Sequence, residues 1–223
     1  VTPVNDAPVT GPDTATTAFN TPVTNINVLA NDSDVDGDTL SVTGATVDPT
    51  KGTVTVNGDG TLNFTPTATA SGAVVITYTV SDGTTSTNGT LTVTVGANTA
   101  PVADAVAVSG LEDAASIVFS LSGSDADAGG SIASAKVTAL PLASQGVLYL
   151  ADGVTAVTTA MVLTPAQMVG LKFVPAADYN GTVTIPYSVT DNAGLVSTAT
   201  ANAVISVTPV NDAPVTGPDT ATT

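Results

Sequence analysis

The 223-residue sequence has no cysteine, histidine, tryptophan or arginine, and it has only three lysines. Without cysteine there are no disulfides and no thiolate ligands, and without histidine there is neither an imidazole ligand nor a Ser-His-Asp arrangement. Aromatic residues make up 4% of the chain, which disfavours a platform of exposed aromatics for sugar rings. The side chains that remain for chemistry are the carboxylates of 18 aspartates and one glutamate.

These carboxylates give the chain a formal net charge of −16 at pH 7. Such a surface repels phosphate, so we expect neither a nucleic-acid partner nor binding to an anionic membrane. No run approaches the roughly 18 consecutive apolar residues of a membrane span, so membrane insertion is not expected either. Hydrophobic residues nevertheless make up 43% of the sequence, which is enough to form a core.

The residues that are abundant favour β-structure. There are 41 threonines and many valines, with 20 glycines and 14 prolines as turn residues. β-Branched side chains fit a pleated sheet better than a helix. Alternating runs predict three strand pairs, namely 52–56 with 61–65, 74–80 with 89–95, and 182–189 with 201–207. Pro186, inside the last pair, predicts an edge strand or a bulge.

The sequence contains a long exact repeat. Residues 1–17 and 207–223 are identical, so the parent protein carries a tandem unit of 206 residues. That period suits two domains of about 100 residues each. The motif that begins at Asn5 returns at Asn98 and Asn211. We place the first domain at 1–97 with its linker at 1–8, the second at 98–207 with its linker at 98–104, and the next repeat at 208–223.

Each domain has short strands and turns typical of an immunoglobulin-like β-sandwich. The predicted fold is therefore all-β, with two tandem immunoglobulin/cadherin-like sandwiches placed end to end. The interval from Asp34 to Asp82 is 48 residues, whereas that from Asp125 to Asp191 is 66. The second domain thus has an insertion of about 18 residues. We place it within 136–175, where 163–170 predicts one short helical turn.

Four carboxylates crowd into one loop, those of Asp32, Asp34, Asp36 and Asp38. Each close pair would repel by roughly 1 kcal/mol even in a water-like dielectric unless a cation lies among them. Ligands that are all hard oxygens select Ca²⁺. An EF-hand is not expected, because the twelfth position counted from Asp32 is Thr43 rather than glutamate. A solvated acidic turn is the alternative.

The predicted fold brings distant polar residues together. In an immunoglobulin-like sandwich, the loop between the second and third strands and the loop between the last two strands lie at the end where the linker enters. Two sets of candidate metal ligands should therefore converge, Asn5, Asp6, Asp34, Asp36 and Asp82 in the first domain, and Asn98, Asp125, Asp127 and Asp191 in the second.

The Asn-Asp-Ala-Pro linker, the Asp-x-Asp loop and the aspartate after a tyrosine-bearing strand resemble cadherin repeats. More closely, they resemble the cadherin-like or bacterial Ig-like extender repeats of RTX adhesins, large surface proteins that bacteria secrete by the type I route. This resemblance implies an extracellular, non-catalytic spacer on the bacterial cell surface. Ca²⁺ at its interdomain junctions would stiffen it to project a distal binding region. The implied partners are neighbouring repeats, and we expect a monomer. The alternative is a carbohydrate- or protein-binding module within the adhesin.

The resemblance also implies ligands from the far end of the upstream domain. The second domain offers Glu112, with Asp113, and Asp178 there, and the linker that follows adds Asn211 and Asp212. The first domain offers only neutral residues around 15–20 and 68–72, and its outgoing linker has Thr99 where the outer linkers have aspartate. We therefore expect the middle junction to bind Ca²⁺ more weakly or with fewer ions.

Overall fold

The computed structural model describes residues 4–213. Their regular structure consists of β-strands, as predicted, and no helix in this part of the chain is long and apolar enough to cross a membrane. The chain divides into two compact units. The first runs to Thr99 and includes the short segment Ala126–Gly130, and the second comprises the remainder.

The first unit is a sandwich of two sheets. From residue 4 onward it has seven strands, β1 (Asp13–Thr17), β2 (Val23–Ile26), β3 (Ser41–Val47), β4 (Gly52–Val56), β5 (Leu62–Pro66), β6 (Gly72–Ser81) and β7 (Ser86–Val95). One sheet has the order β1-β7-β6-β3, with β1 parallel to β7, and the other has the order β2-β5-β4. Side chains from both sheets, including Phe64 and Ile76, pack into one core.

Strand β6 shows why the sequence folds in this way. Val74, Ile76, Tyr78 and Val80 are at most 2% exposed, while the residues between them lie on the outer face. This period of two is that of a strand with one face on the core. The predicted pairs 52–56 with 61–65 and 74–80 with 89–95 are confirmed as β4 with β5 and β6 with β7.

The second unit repeats this topology and adds a short strand pair. Its strands are β8 (Val102–Ala103), β9 (Val106–Leu111), β10 (Ile117–Phe119), β11 (Gly123–Ser124), β12 (Ile132–Val137), β13 (Gly146–Tyr149), β14 (Leu171–Pro175), β15 (Gly181–Asp191) and β16 (Ala201–Thr208). The sheets are β12-β15-β16-β9 and β10-β14-β13, with β8 paired to β11. The predicted pair 182–189 with 201–207 is confirmed as β15 with β16.

The extra residues of the second unit lie mainly between β13 and β14, within the predicted interval. Residues 150–170 connect these strands, whereas residues 57–61 suffice between β4 and β5. The predicted turn is present, since the Met168 N–H donates to the Thr164 carbonyl at 3.0 Å and the Thr164 N–H donates to Gln167 Oε1 at 3.0 Å. These two hydrogen bonds close one turn, and the turn does not continue into a helix.

The expectation that Pro186 lies at an edge or a bulge is wrong. Strand β15 is central, between β12 and β16, and Pro186 pairs regularly with Asn202. The position tolerates proline because β12 ends at Val137, opposite Tyr187. Beyond the end of β12, the Thr138 N–H donates to the Pro186 carbonyl at 2.9 Å. The N–H that proline lacks is therefore not needed for pairing with β12.

Candidate functional site

The incoming linker meets two loops at one end of the first unit. The Asn5 side-chain amide donates to Asp82 Oδ2 at 2.9 Å, in the turn between β6 and β7. The Asp6 N–H donates to Asp36 Oδ2 at 2.8 Å, in the loop between β2 and β3. Linker, loop and turn therefore converge as the fold predicted, and the role of these residues as metal ligands stays a prediction.

Three carboxylates of the β2–β3 loop form a cluster. One oxygen from each of Asp34, Asp36 and Asp38 lies within 4.8 Å of the others. Asp34 Oδ1 accepts the N–H groups of Asp36 at 2.9 Å and Asp38 at 3.4 Å, so it shapes the loop. Among the described residues, Asp34 Oδ2 has no hydrogen-bond partner although the atom is buried. A buried carboxylate oxygen without a donor is costly, and a cation would satisfy it.

Asp32 lies outside this group of three. Its Oδ1 accepts the Gly11 N–H at 2.8 Å, and its Oδ2 lies 3.4 Å from the Tyr78 hydroxyl. The same hydroxyl donates to Asp13 Oδ2 at 2.7 Å. Asp32 therefore holds the segment before β1 against the core, and its contacts differ from those of the clustered carboxylates.

The surroundings of two carboxylates shift their pKa values in opposite directions. The Asn5 amide, followed by the backbone N–H groups of Thr85 and Thr84, lowers the pKa of Asp82. Burial raises the pKa of Asp13, with a further rise from Asp32, against the lowering effect of the Tyr78 hydrogen bond. Asp82 therefore stays ionised at the linker end, as a metal ligand must.

The loop between β11 and β12 occupies a matching place, although its residues Ala126–Gly130 belong to the first compact unit. The Thr99 N–H donates to Asp127 Oδ2 at 2.8 Å, which repeats the linker-to-loop bond of the first unit, and Asn98 directly precedes it in the linker. Asp125 also has its Oδ2 buried. Asp191 is 2% exposed and accepts the backbone N–H groups of residues 193 and 195 at 2.9 and 2.8 Å.

A second acidic group surrounds the linker that leaves the second unit. Glu112 is 6% exposed, and its two oxygens accept the Val210 N–H at 2.7 Å and the Asn180 amide at 3.1 Å. The pKa of Asp212 is raised, first by Asp113 and then by slight burial, Asp178 and Glu112. These carboxylates repel one another, and the linker amide of Asn211 donates to the Asp212 carbonyl at 3.4 Å.

The matching end of the first unit is neutral. Gly72 pairs with Val95, and Gly181 pairs with Val207 at the equivalent place, so Thr69 corresponds to Asp178. The parallel strands place Thr17 opposite Val95 and Gly110 opposite Val207. Phe19 and Asn20 therefore correspond to Glu112 and Asp113. The sequence indicated that the outgoing end of the second domain is acidic and that of the first is neutral. The strand registers place this difference at matching positions of the two sandwiches.

Sequence reasoning missed two residues of these networks. Asp13 binds Tyr78 across 65 residues of sequence, and no motif marks that contact. Asn180 binds Glu112, and its signal was the Asn-Gly pair at the start of β15. Tyr78 and Tyr187 pack in the core with bonded hydroxyls. Both are 0% exposed, and the Tyr187 hydroxyl bonds to the Asp104 and Ser122 carbonyls.

These pKa shifts predict an unusual pH dependence in metal-free buffer. Asp13 and Asp212 have raised pKa values, so the folded state binds their protons more readily, and stability should rise as pH falls from 7 towards about 4. Below the ordinary value of 3.8, groups with lowered pKa values such as Asp82 lose their contribution. Thermal unfolding across this range should show a maximum near pH 4, and a steady rise up to pH 7 would contradict it.

Comparison with known proteins gives two family matches. Residues 4–96 match the model of a cadherin-like domain, and residues 98–204 match that of a bacterial Ig domain. No curated protein matches the chain.

Similar solved structures include an endo-fucoidan hydrolase of glycoside hydrolase family 107, 18% identical over 92% of this chain and 29% of that one, with a TM-score of 0.38. Protocadherin gamma B7 domains 1–4 are 17% identical over 94% and 53%, with a TM-score of 0.38. Drosophila N-cadherin domains 1–3 are 12% identical over 92% and 65%, with a TM-score of 0.49. The chain thus spans 29% of the hydrolase and about half of the protocadherin fragment.

Proposed function

Because the chain is a tandem of a cadherin-like domain and a bacterial Ig domain, we propose that it is a non-catalytic extender of a bacterial cell-surface adhesin. In this role its linkers bind Ca²⁺, which stiffens the array and projects a distal binding region. The observation that carries the proposal is the meeting of the linker, the β2–β3 loop and the β6–β7 turn at one end of the first unit.

The donor set fits calcium. Every candidate ligand is an oxygen donor, and Ca²⁺ takes six to eight such ligands in flexible geometry. The buried Oδ2 of Asp34 already lacks a hydrogen-bond partner among the described residues. The residues that would hold the ion at this end are Asp34, Asp36 and Asp38, with Asn5, Asp6 and Asp82 beside them. A bound Ca²⁺ supplies positive charge that offsets the repulsion among these carboxylates.

Contacts within the protein already order the linker end of the first unit for such an ion. The Asp34 Oδ1 bonds fix the loop, and the Asp6 N–H holds Asp36 against the linker. The Asn5 amide keeps Asp82 ionised by lowering its pKa. Because these contacts already order the linker, less conformational entropy is lost when an ion binds.

We further propose that the two kinds of linker in the array are unequal. The end of the Ig domain supplies Glu112, Asp113 and Asp178, whereas the matching positions of the cadherin-like domain supply no carboxylate. The linker after the Ig domain therefore has more acidic ligands available than the linker 98–104.

Small-angle X-ray scattering tests the spacer function. The piece to measure is a bacterial Ig domain followed by the cadherin-like domain of the next repeat, which contains the better-liganded linker. In Ca²⁺ we expect a longer maximum dimension and a narrower distance distribution than in chelator, because bound ions restrict the linker. Identical curves in the two buffers would contradict calcium stiffening.

A further inference from the structure

One sheet of the Ig domain differs from its counterpart in the cadherin-like domain on its outer face. The registers of the two sheets match, with Gly52 opposite Pro66 and Gly146 opposite Pro175. The third strand matches at one pair, because Phe64 faces Val23 and Phe173 faces Ile117, and β2 departs from the regular register between Val23 and Ile26. The outward residues therefore correspond one to one, as Thr24 with Val118, Thr53 with Val147, Thr55 with Tyr149, Asn63 with Lys172, and Thr65 with Val174.

We call the Ig-domain set the valine face; it consists of Val118, Val147, Tyr149, Lys172 and Val174. These side chains are neighbours, since Lys172 faces both Val118 and Tyr149 across the sheet and Val174 faces Val147. Val118 is 54% exposed and Val147 is 41% exposed.

An apolar groove extends the valine face beyond strand β13. Val147 also lines this groove, together with Leu140, Pro141 and Val157. Leu142, in the same connection, is 67% exposed. The apolar surface is therefore continuous from the sheet into the connection that precedes β13.

The sandwich does not require this apolar surface. The cadherin-like domain builds the same three-stranded sheet with threonine and asparagine at the five positions, and Thr53 and Thr65 are exposed there. Replacing an exposed threonine by valine removes a hydroxyl that contacts water. The valine stabilises nothing in return unless a partner covers it. The Ig domain has a contiguous apolar patch where the equivalent sheet of the cadherin-like domain is polar. Such a patch indicates an interaction surface.

We infer that the valine face packs against the valine face of a second copy of this chain. Charge limits where two such chains can meet, because each carries −16 and like-charged surfaces repel. The valine face contains Lys172, one of only three lysines. Asp152 lies near Lys172. The positive charge of Lys172 contributes to lowering the pKa of Asp152, after the hydrogen bonds from Thr155 and Val154. The face is therefore balanced in charge, and two copies can approach there without strong repulsion.

The tandem repeat also favours a second copy over an unrelated partner. On the 206-residue period that the identical segments 1–17 and 207–223 indicate, each repeat of the parent array would carry one valine face. Two aligned copies present these faces at the same interval, so each contact brings the next pair closer and raises its effective concentration. Sheets of this kind pack face to face about 10 Å apart, with side chains of the two faces interdigitating.

A single pair of faces makes a weak contact. Five side chains and a short groove cover far less than the roughly 800 Å² per partner of a standard interface. One repeat should therefore be monomeric in dilute solution, as the sequence led us to expect. It should associate reversibly only as the concentration approaches about 1 mM.

Sedimentation equilibrium of the full chain tests this inference. The weight-average mass should rise above 21.7 kDa as the concentration approaches about 1 mM. The triple variant V118T/V147T/V174T gives the Ig domain the residues of the cadherin-like domain at three of the five positions, and it should weaken the association at least about tenfold. Circular dichroism checks that this variant is folded. The matched control is Val75→Thr, an exposed valine on the other type of sheet, in the cadherin-like domain, which should leave the association unchanged.

A chain that stays at 21.7 kDa throughout would overturn the inference, including the case in which some other partner covers the face. So would a triple variant that associates like the unchanged chain, or a V75T variant that loses association equally. The experiment is run in calcium and in chelator, since the valine face contains none of the proposed metal ligands. Its outcome is therefore separate from that of the calcium proposal.

Discussion

Under the proposed function, replacing Asp34 and Asp36 together by asparagine is expected to abolish most of the thermal stabilisation that bound Ca²⁺ would give the cadherin-like domain. An ion that binds only the folded state at 100 times its Kd adds about 2.7 kcal/mol. For a domain of this size, that corresponds to a rise of about 10 °C or more in Tm. Asparagine retains a side-chain oxygen to accept the loop N–H groups but removes two of the three clustered charges.

In chelator the order of stability should reverse. The unchanged protein then keeps its like charges close together without an ion, so D34N/D36N should unfold at an equal or higher temperature. The matched control is D48N/D59N, because these two carboxylates lie in turns of the same domain and bond to Thr50 and Thr61. The control should keep the full response to Ca²⁺. An equal response from D34N/D36N would contradict the assignment of the site.

Gly146→Ala is expected to destabilise the Ig domain by about 3 kcal/mol or more. A Cβ there would lie 2.3 Å from the Val174 carbonyl oxygen and 2.7 Å from the Phe173 ring, both in the neighbouring strand. The backbone φ of +143° adds strain for any residue with a side chain. Overpacking costs roughly 1–3 kcal/mol, and a strained backbone costs a similar amount. Thermal unfolding should therefore shift down by about 10 °C.

Gly194→Ala separates the two causes. Gly194 has a φ of +95°, but nothing in the described chain lies within 4 Å of a Cβ built there. Its variant should lose only the backbone component, about 1–2 kcal/mol. If both variants lost the same amount, the clash with β14 would not be the cause at Gly146.

The fold was readable from the sequence wherever burial alternates along a strand. Strand β6 places Val74, Ile76 and Tyr78 inward, with Val75 and Thr77 between them on the outer face, and its run of β-branched residues predicts a strand without a structure. The two-residue strands β8 and β11 are too short to show any period. Pro186 was misjudged because the place where β12 ends depends on tertiary packing rather than on local sequence.

The candidate site was predictable as a region but not atom by atom. The fold predicted that Asn5 would meet Asp82, although 77 residues separate them. The acidic run did not tell which carboxylates face one another. Asp32 and Asp34 are two residues apart, yet one binds Gly11 and the other shapes the cluster. That choice depends on the path of the loop, including Gly37 with its φ of +77°, and not on residue type alone.

These contacts show where the acidic residues of the chain are concentrated. The clustered carboxylates lie at the incoming end of the cadherin-like domain and at the outgoing end of the Ig domain. The sheet faces carry mostly threonine, valine and small residues instead. Under the proposed function the net charge of −16 is therefore partly offset whenever Ca²⁺ is bound. In its absence the same residues weaken the ends that the linkers connect.

Isothermal titration of Ca²⁺ into the full chain measures the proposed binding itself. We expect saturable binding at or below millimolar Ca²⁺, the range of extracellular calcium modules. The D34N/D36N variant should bind fewer ions, and D48N/D59N should bind as many as the unchanged chain. Absence of binding at about 10 mM Ca²⁺, well above that range, or an unchanged ion count in D34N/D36N, would contradict a calcium site at the linker end of the cadherin-like domain.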